Sequence, residues 1–431
     1  MLHFLNDEWK IAGSSETEFR DAVDAIDSAT EQKKISLANV MVNHLFVNER
    51  GENMVYVVDP ENVLPDGVLS RAPVALDLLD EVSEEISEQA VEDGMMLSMK
   101  DNEEEQYLVS PLAYSTLGQR IDLTGSATLF PSLARECIIA EHIGHHAKEK
   151  HCTAVIKGSC GVKKIFAFLS PEYMHVPLKT LNTLADTLAT KSGLGRAECL
   201  NWSIDHKVVQ ITYAFPEYGR ELSRLYDVEP MVPCVKLMTS DTGECSVRGE
   251  GLWQMESGDM VYANEYSRTH RGTFDVDEIC KGVRQNIFDR YREFPQQMKA
   301  LSFVSVTPRE LDLTTHAGQV KNAAILKEVY ECVLRDLGVP SIIGKKRMVT
   351  LSELLEIAMI DGESSYSAYA VAKNVLLLPG MMKHWICTSE LKDSGYEKLV
   401  KAVSKVAYLD FGKIIKKALV KEPEMYLTPE E

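Results

Sequence analysis

Residues 153–169 of the chain read TAVIKGSCGVKKIFAFL, and this stretch sets the fold class. Two runs rich in β-branched and aromatic residues, Thr153–Lys157 and Val162–Leu169, flank the glycine-containing turn Gly158–Gly161. Such runs on either side of a short turn predict an antiparallel hairpin. A helix is predicted next, over Pro177–Thr190, with leucines at helical spacing and Gly193 as its stop.

Further strands are predicted beyond this helix, again separated by turn residues. They are Glu198–Ile204, Val208–Ala214, Cys234–Met238, Cys245–Arg248 and Met260–Tyr266. The order β-β-α-β-β followed by a meander indicates an α+β fold, with a central, mostly antiparallel sheet and packed helices.

The N-terminal region is of mixed type. Strands are predicted at Lys34–Phe46 and Met54–Asp59. A helix is predicted to begin at Pro73 and run to Ala90, because apolar residues recur there at helical spacing below a strongly acidic outer face. We expect the charged run Asp101–Glu105 to be an exposed loop.

From Asp275 onward the pattern is helical. The predicted segments are Val276–Gln297, Gly318–Leu337, Leu351–Ile360, Ser367–Leu378 and Tyr396–Val420. We therefore divide the chain into an acidic N-terminal α/β region (1–107), a central α+β core (108–300) and a helical C-terminal region (301–431).

Charge is distributed very unevenly along the chain. Residues 1–110 hold 25 acidic and 7 basic residues, whereas residues 111–431 hold 40 and 39. An acidic front end beside a nearly neutral body indicates either a partner surface or an internal counter-charge.

The composition narrows the class of protein. The nine cysteines are scattered, odd in number and without a C-x-x-C pair, which is typical of reduced thiols in a cytoplasmic protein. The N-terminus turns acidic where a signal peptide would be basic and then apolar. Apolar runs are too short to span a bilayer, so we expect a cytoplasmic protein with no membrane partner.

Four stretches resemble a phage- and plasmid-borne family catalogued as domain of unknown function 932. They are residues 108–114 leading into 129–131, residues 165–173, residues 233–250 running on to 268–272, and the helix 368–378 with Asn374. Residues 256–259 replace the family's usual cysteine-asparagine-glycine stretch. The resemblance covers about residues 108–380 and implies a mobile-element protein encoded by a phage. By analogy with single-strand annealing recombinases, whose β-β-β-α cores form rings, it favours a homo-oligomer.

One cluster has metal-ligand residue types: Glu141, His142, His145 and His146, followed by His151 and Cys152. Its spacing matches no zinc-protease motif, and a straight helix brings at most two of the imidazoles together. We expect a polar helix end, with no metal and no cofactor. No nucleophile or phosphate-loop motif is present, so no catalytic residue is predicted.

Basic residues with an interleaved ring form the candidate nucleic-acid site. A loop carries Arg268, His270 and Arg271, and the following helix places Lys281, Arg284, Phe288 and Arg292 on one stripe. Such a stripe can follow a phosphate backbone and stack a base, and the alternative is an ordinary solvated helix face. The last helix offers a second basic surface: Lys398, Lys401, Lys405, Lys413, Lys416 and Lys417.

These patterns favour a non-enzymatic protein that binds single-stranded nucleic acid, as in strand annealing or recombination. The alternative is a protein-interaction module, either an inhibitor of host defence or a structural phage protein, whose acidic N-terminal region binds a host or phage protein. A third hypothesis is a metal-dependent nuclease that uses the histidine cluster.

Overall fold

The structure is a computed structural model, and it confirms the α+β class. It describes residues 5–58, 63–64, 67–68, 74–75, 79, 83–123, 130–146, 150–159, 161–191, 193–343, 367–385 and 393–421. The predicted helix Leu351–Ile360 lies outside these residues.

One sheet is antiparallel throughout and, among the described residues, has six strands in the order β1-β12-β13-β14-β15-β16. Its strands are β1 (Lys10–Gly13), β12 (Glu198–Asp205), β13 (Val209–Ala214), β14 (Met231–Thr239), β15 (Val247–Met255) and β16 (Met260–Arg268). Strands β12 to β16 confirm the five strands predicted in this part of the chain, and β14, β15 and β16 form the predicted meander. A helix that was not predicted, Pro216–Tyr226, separates β13 from β14. The first strand, β1, comes from the acidic front of the chain.

The second sheet is mixed and, within the described residues, has the order β2-β10-β11-β9-β8-β3-β4, with the two-residue β7 on its edge. Its strands are β2 (Thr30–Ser36), β3 (Val40–Val47), β4 (Asn53–Val57), β7 (Val74–Ala75), β8 (Met95–Met99), β9 (Asn102–Val109), β10 (His151–Ser159) and β11 (Val162–Leu169). The hairpin β10–β11 confirms the prediction for residues 153–169. Strand β9 lies parallel to β11, and the short β5 (Val63–Leu64) and β6 (Gly67–Val68) pair with each other.

The described helices surround these sheets. They are α1 (Glu16–Ala29), α2 (Glu84–Asp93), α3 (Tyr114–Arg120), α4 (Ser132–His146), α5 (Thr180–Lys191), α6 (Pro216–Tyr226), α7 (Val276–Asn286), α8 (Glu293–Leu301), α9 (His316–Asp336), α10 (Val339–Ile343), α11 (Ala368–Trp385), α12 (Asp393–Val403) and α13 (Phe411–Lys421). No helix in the described part of the chain is long and apolar enough to cross a membrane.

The largest hydrophobic core joins the six-stranded sheet to the C-terminal helices. Helix α7 lies against β15, where a Cβ atom on Gly251 would come within 2.6 Å of Ile287 Cγ2. Glycine is therefore needed at this position for the helix to approach the sheet. A second core lies between the mixed sheet and helices α3 and α4.

Several predicted elements are wrong in detail. The predicted helix from Pro73 is replaced at Val74–Ala75 by strand pairing with β4, and helix α2 begins only at Glu84. The predicted loop Asp101–Glu105 is largely part of β9. In the first case Val74–Ala75 pair with β4, and in the second β9 forms a hairpin with the adjacent strand β8. Strand pairing overrides the local pattern of charge or periodicity in both cases.

The two long C-terminal predictions are each interrupted. The segment Val276–Gln297 breaks after Asn286, and α8 carries Pro295 in its first turn. The helix ends at Ile287, whose φ of −118° departs from helical geometry, and the 3-10 turn Phe288–Arg290 follows before α8 begins. The segment Tyr396–Val420 breaks at Leu409, which is extended, before α13 starts.

The proposed regional boundaries do not separate independent sheets. Strands of the acidic region lie in both sheets, since β1 pairs with β12 and β2 pairs with β10. The described C-terminal helices share the core of the six-stranded sheet. The acidic front is therefore an integral part of the fold.

Part of the acidic charge finds its counter-charge inside the molecule. Buried Lys164 on β11 lies 2.7 Å from Asp7 Oδ2 and 3.3 Å from Asp93 Oδ2. Its neighbour Lys163 pairs with Glu31 on β2 at 2.9 Å. Internal counter-charge, one of the two readings of the uneven charge, is thus present in the structure.

Candidate nucleic-acid interface

A polar cleft of about 380 Å³ lies where the two sheets meet. Its walls come from α3, from the end of β11 with the turn up to Tyr173, from the turn after β14, and from the loop after β16. Three of the four family-like stretches, residues 165–173, 233–250 and 268–272, contribute directly to these walls. A further stretch, 108–114, leads directly into α3, which forms another wall of the cleft. Segments far apart in sequence therefore converge on one cleft.

The turn after β14 is fixed by Ser240, whose hydroxyl accepts from the backbone N–H groups of Thr242 and Glu244, each at 3.2 Å. Gly243 has φ of +81°, and a Cβ there would lie 2.9 Å from the Leu169 side chain. Glycine satisfies both the backbone conformation and the close approach to β11. The turn is thus held in one shape against the opposite wall.

An aromatic pair forms another part of the wall. The rings of Tyr173 and His270 stack with centroids 4.8 Å apart, and the Tyr173 hydroxyl donates to the Ser240 carbonyl at 3.1 Å. His270 Nδ1 donates to the Met174 carbonyl at 3.2 Å. Burial lowers the pKa of His270, although the carbonyls of Met174 and Cys245 oppose the change. The lowered pKa disfavours the charged imidazolium, so His270 is a weaker partner for a phosphate than an exposed histidine would be.

Two guanidinium groups line the cleft. Arg120 ends α3, and its buried Nε has no hydrogen-bond partner among the residues that the structure describes. Arg271 is exposed on the loop after β16, and no carboxylate of the described chain pairs with it. A guanidinium offers a fork of donors that fits phosphate or carboxylate oxygens, so these two groups can bind an anion.

Two carboxylates line the same cleft. Glu172 and Glu244 are exposed, and the backbone N–H of each is held by a serine hydroxyl, that of Ser170 or Ser240. The cleft therefore offers acceptors as well as donors. A ligand that carries both an anionic group and hydrogen-bond donors matches it better than a simple anion.

The structure separates the residues of the predicted basic site. His270 and Arg271 lie in the cleft. Lys281 and Arg284 are exposed on α7, and Arg284 Nε is 4.0 Å from Asp289. Arg268 forms an ion pair with Glu278.

The other two members of the predicted stripe lie in different environments, one buried and one exposed. Phe288 is only 3% exposed and packs against Phe215 and Tyr291, so its ring cannot stack a base. This correction follows from the break after α7, which turns Phe288 toward the core. Arg292 remains exposed and donates to the Tyr218 hydroxyl at 3.3 Å.

The second basic surface is also divided. Its exposed members are Lys398, Lys405, Lys413, Lys416 and Lys417. Lys401 is instead half-buried over the ring of Tyr262 and pairs with buried Glu250 at 3.1 Å. The break between α12 and α13 places the remaining lysines on separate elements.

The histidine cluster forms the end of α4. His142 Nδ1 donates to the Ile121 carbonyl at 3.3 Å, His145 is exposed, and the side chain of His146 lies outside the described residues. His151 is exposed while Cys152 is buried in β10. The described residues contain no group of three or more potential metal ligands. That the chain binds no metal stays a prediction.

No protein-family model matches this chain, and no curated protein or solved structure is significantly similar to it. The family resemblance of residues 108–380 therefore stays a prediction. Sequence reasoning identified His270 and Arg271 but missed Arg120, Glu172 and Glu244. The available signal was the set of family-like stretches, whose joint position only the fold reveals.

Proposed function

We propose that this protein, encoded by a phage or another mobile element, binds single-stranded nucleic acid without enzymatic activity. Arg120 and Arg271 would hold phosphates of the strand in the cleft between the sheets. The observation that carries the proposal is the presence, in one polar cleft, of two guanidinium groups that pair with no carboxylate of the described residues. Guanidinium groups bind phosphate oxygens in a bidentate manner, and such contacts dominate affinity for nucleic acids.

The sheet beside the cleft supports a role in strand annealing. Strands β14, β15 and β16 form a continuous antiparallel meander, and α7 follows and packs against it. This β-β-β-α order is the one expected by analogy with annealing recombinases. A shared fold does not establish a shared function, so the proposal depends on the chemistry of the residues that line the cleft.

The test measures binding of a labelled oligothymidylate of about 15 nucleotides by fluorescence anisotropy over about 50–300 mM NaCl. In the variant Arg120→Gln with Arg271→Gln, two phosphate contacts are removed. We expect affinity at low salt to fall by roughly tenfold or more. The salt slope of log K should decrease in magnitude by about 1.4, since each contact to a single strand contributes about 0.7.

The matched control is Arg290→Gln, which is exposed and removes a charge of the same kind. Arg290 is next to Tyr291, whose hydroxyl donates to the Cys234 carbonyl. Cys234 lies near the start of β14, whereas the cleft turn follows the far end of that strand. Circular dichroism confirms that the variants fold. If the wild-type protein shows no affinity for single strands at low salt, the function is wrong; equal slopes in the double variant would place the contacts elsewhere.

A second candidate function is protein interaction through α2. Its outer face carries exposed Glu84, Glu85, Glu88 and Glu92, and none of these carboxylates forms an ion pair with a described lysine or arginine. An unneutralised acidic helix face fits a basic protein partner. Deletion of the acidic region cannot test this, because that region supplies strands to both sheets. Substitution of the four glutamates by glutamine keeps the fold intact, and loss of a captured partner without change in DNA affinity would favour this function.

A further inference from the structure

We infer that the cleft between the sheets accepts one unstacked nucleotide of the strand and prefers guanine. This inference rests on the proposed function, since Arg120 and Arg271 hold the flanking phosphates. It adds that a carboxylate of the cleft, Glu172 or Glu244, reads the Watson–Crick edge of the base.

The first support is the mixed chemistry of the walls. A site for phosphate alone would have no use for carboxylates, which repel it. Here Glu172 and Glu244 line the same cleft as the two arginines. A nucleotide combines an anionic phosphate with N–H donors on its base, so it satisfies both kinds of wall.

The second support is the position of the His270 ring. His270 is 7% exposed, lines the cleft, and donates through Nδ1 to the Met174 carbonyl. Its ring stacks on that of Tyr173 with centroids 4.8 Å apart. Both rings are therefore held in place in a wall against which the flat face of a base can pack.

The third support is the rigidity and size of the cleft. Serine hydroxyls hold the backbone of both glutamates, at 3.3 Å from Ser170 and 3.2 Å from Ser240. The volume of about 380 Å³ lies near the lower limit of small-molecule sites, which run from about 300 to about 1,000 Å³. One nucleotide fits a site of this size better than a stacked pair.

The preference for guanine follows from hydrogen-bond geometry. A carboxylate has two adjacent acceptor atoms and no donor. Guanine presents two adjacent donors, N1–H and the N2 amine, on its Watson–Crick edge. Adenine and cytosine have a ring nitrogen acceptor beside their amine, and thymine has a carbonyl on each side of its one N–H. In each of these bases an acceptor atom would therefore face an oxygen of the carboxylate, and the two would repel each other. On α3, the exposed Gln119 also lines the cleft and carries an amide donor suited to guanine O6.

The experiment uses the full chain and oligothymidylates of about 15 nucleotides that carry one central dG, dA, dC or dT. We expect the dG strand to bind at least about fivefold more tightly than the dT strand. Replacement of dG by deoxyinosine, which lacks the N2 amine, should remove most of this preference. Replacement by 7-deazaguanine, which keeps the Watson–Crick edge, should retain it.

The variants Glu172→Gln and Glu244→Gln identify the carboxylate. One of them should abolish the dG preference while binding oligothymidylate as well as, or better than, the wild type, because a negative charge has been removed. The control Glu256→Gln alters an exposed carboxylate on the β15–β16 turn, at the other end of the sheet, and should keep the preference.

The outcomes separate this inference from the proposed function. Binding of oligothymidylate with equal affinity for all four strands overturns the guanine site but leaves single-strand binding intact. No binding of any strand overturns both. Competition with free dGMP and dTMP distinguishes the source of the nucleotide: displacement by dGMP alone, without a preference among the strands, overturns recognition within a strand.

Discussion

The clearest pH-dependent prediction concerns Asp93 at the end of α2. Its carboxylate shares the ammonium group of Lys164 with Asp7, and Lys164 is only 2% exposed. One cation cannot neutralise two buried carboxylates. Burial, reinforced by the charge of Asp7, raises the pKa of Asp93 to about 7, although Lys164 opposes the change.

The sign follows from proton linkage. Because the folded protein binds a proton at Asp93 more tightly than the unfolded chain, this group adds stability below a pH of about 4. The contribution is lost as the pH rises to about 7 and changes little above that. At about 1.4 kcal/mol per pKa unit the full difference would be about 4 kcal/mol. The carboxyl retains some access to water, so we expect about half of this, on the order of 2 kcal/mol.

The perturbation is Asp93→Asn, which resembles the protonated side chain at every pH. Free energies of unfolding are measured by urea titration of tryptophan fluorescence at several values between about pH 4.5 and pH 8. The difference between variant and wild type cancels the other ionisable groups. We expect it to rise by about 2 kcal/mol in favour of the variant from the lowest to the highest pH.

Asp227→Asn is the control. Asp227 is exposed at φ of 51°, a conformation that asparagine also adopts, and its bond to Lys299 lowers its pKa. Its stability difference should therefore stay constant between about pH 4.5 and pH 8, because a carboxylate with a lowered pKa changes stability only below a pH of about 4. A difference for Asp93→Asn that is independent of pH would refute the assignment of a raised pKa to this carboxyl.

Further predictions concern packing and buried charge, all measured by the same urea titrations. Glu136 is fully buried and lies 2.5 Å from His44, so Glu136→Ala should cost about 3–5 kcal/mol, and a loss below 1 kcal/mol or so would contradict a buried pair. A Cβ on Gly219 would lie 2.5 Å from the Met231 carbonyl, so Gly219→Ala should cost about 1–3 kcal/mol. Gly144 has open space around it inside α4, so Gly144→Ala should instead stabilise by about 0.5–1 kcal/mol; equal effects at the two glycines would show that close packing is not the cause.

Elements set by local pattern were predicted well. The hairpin β10–β11 and the meander from β12 to β16 follow alternating apolar runs and turn residues, and neighbouring strands along the chain pair with each other. Local propensity and sequential pairing agree in these regions, so the sequence was sufficient. Val74–Ala75 pair with β4, which is not the preceding strand in the chain, and there the apolar periodicity wrongly predicted a helix.

The candidate site shows the same division. His270 and Arg271 could be predicted, because basic and aromatic residues cluster in one loop of the sequence. Phe288 was misplaced, because the predicted stripe continued helical spacing past Asn286, where α7 ends. Arg120 and Glu244 could not be joined by any local rule, since more than a hundred residues separate them in the chain.

The sequence by itself determined the fold class, the central antiparallel strands and the concentration of acidic charge at the front, because these depend on residue type and short-range spacing. The tertiary structure alone decided where that charge is neutralised and which residues share a cleft. Lys164 meets Asp7 and Asp93 only in the folded chain, and Arg120 lines the same cleft as the turn after β14 only once the two sheets have assembled. Burial and long-range pairing are properties of the folded chain, and they set both the ionisation of Asp93 and the chemistry of the cleft.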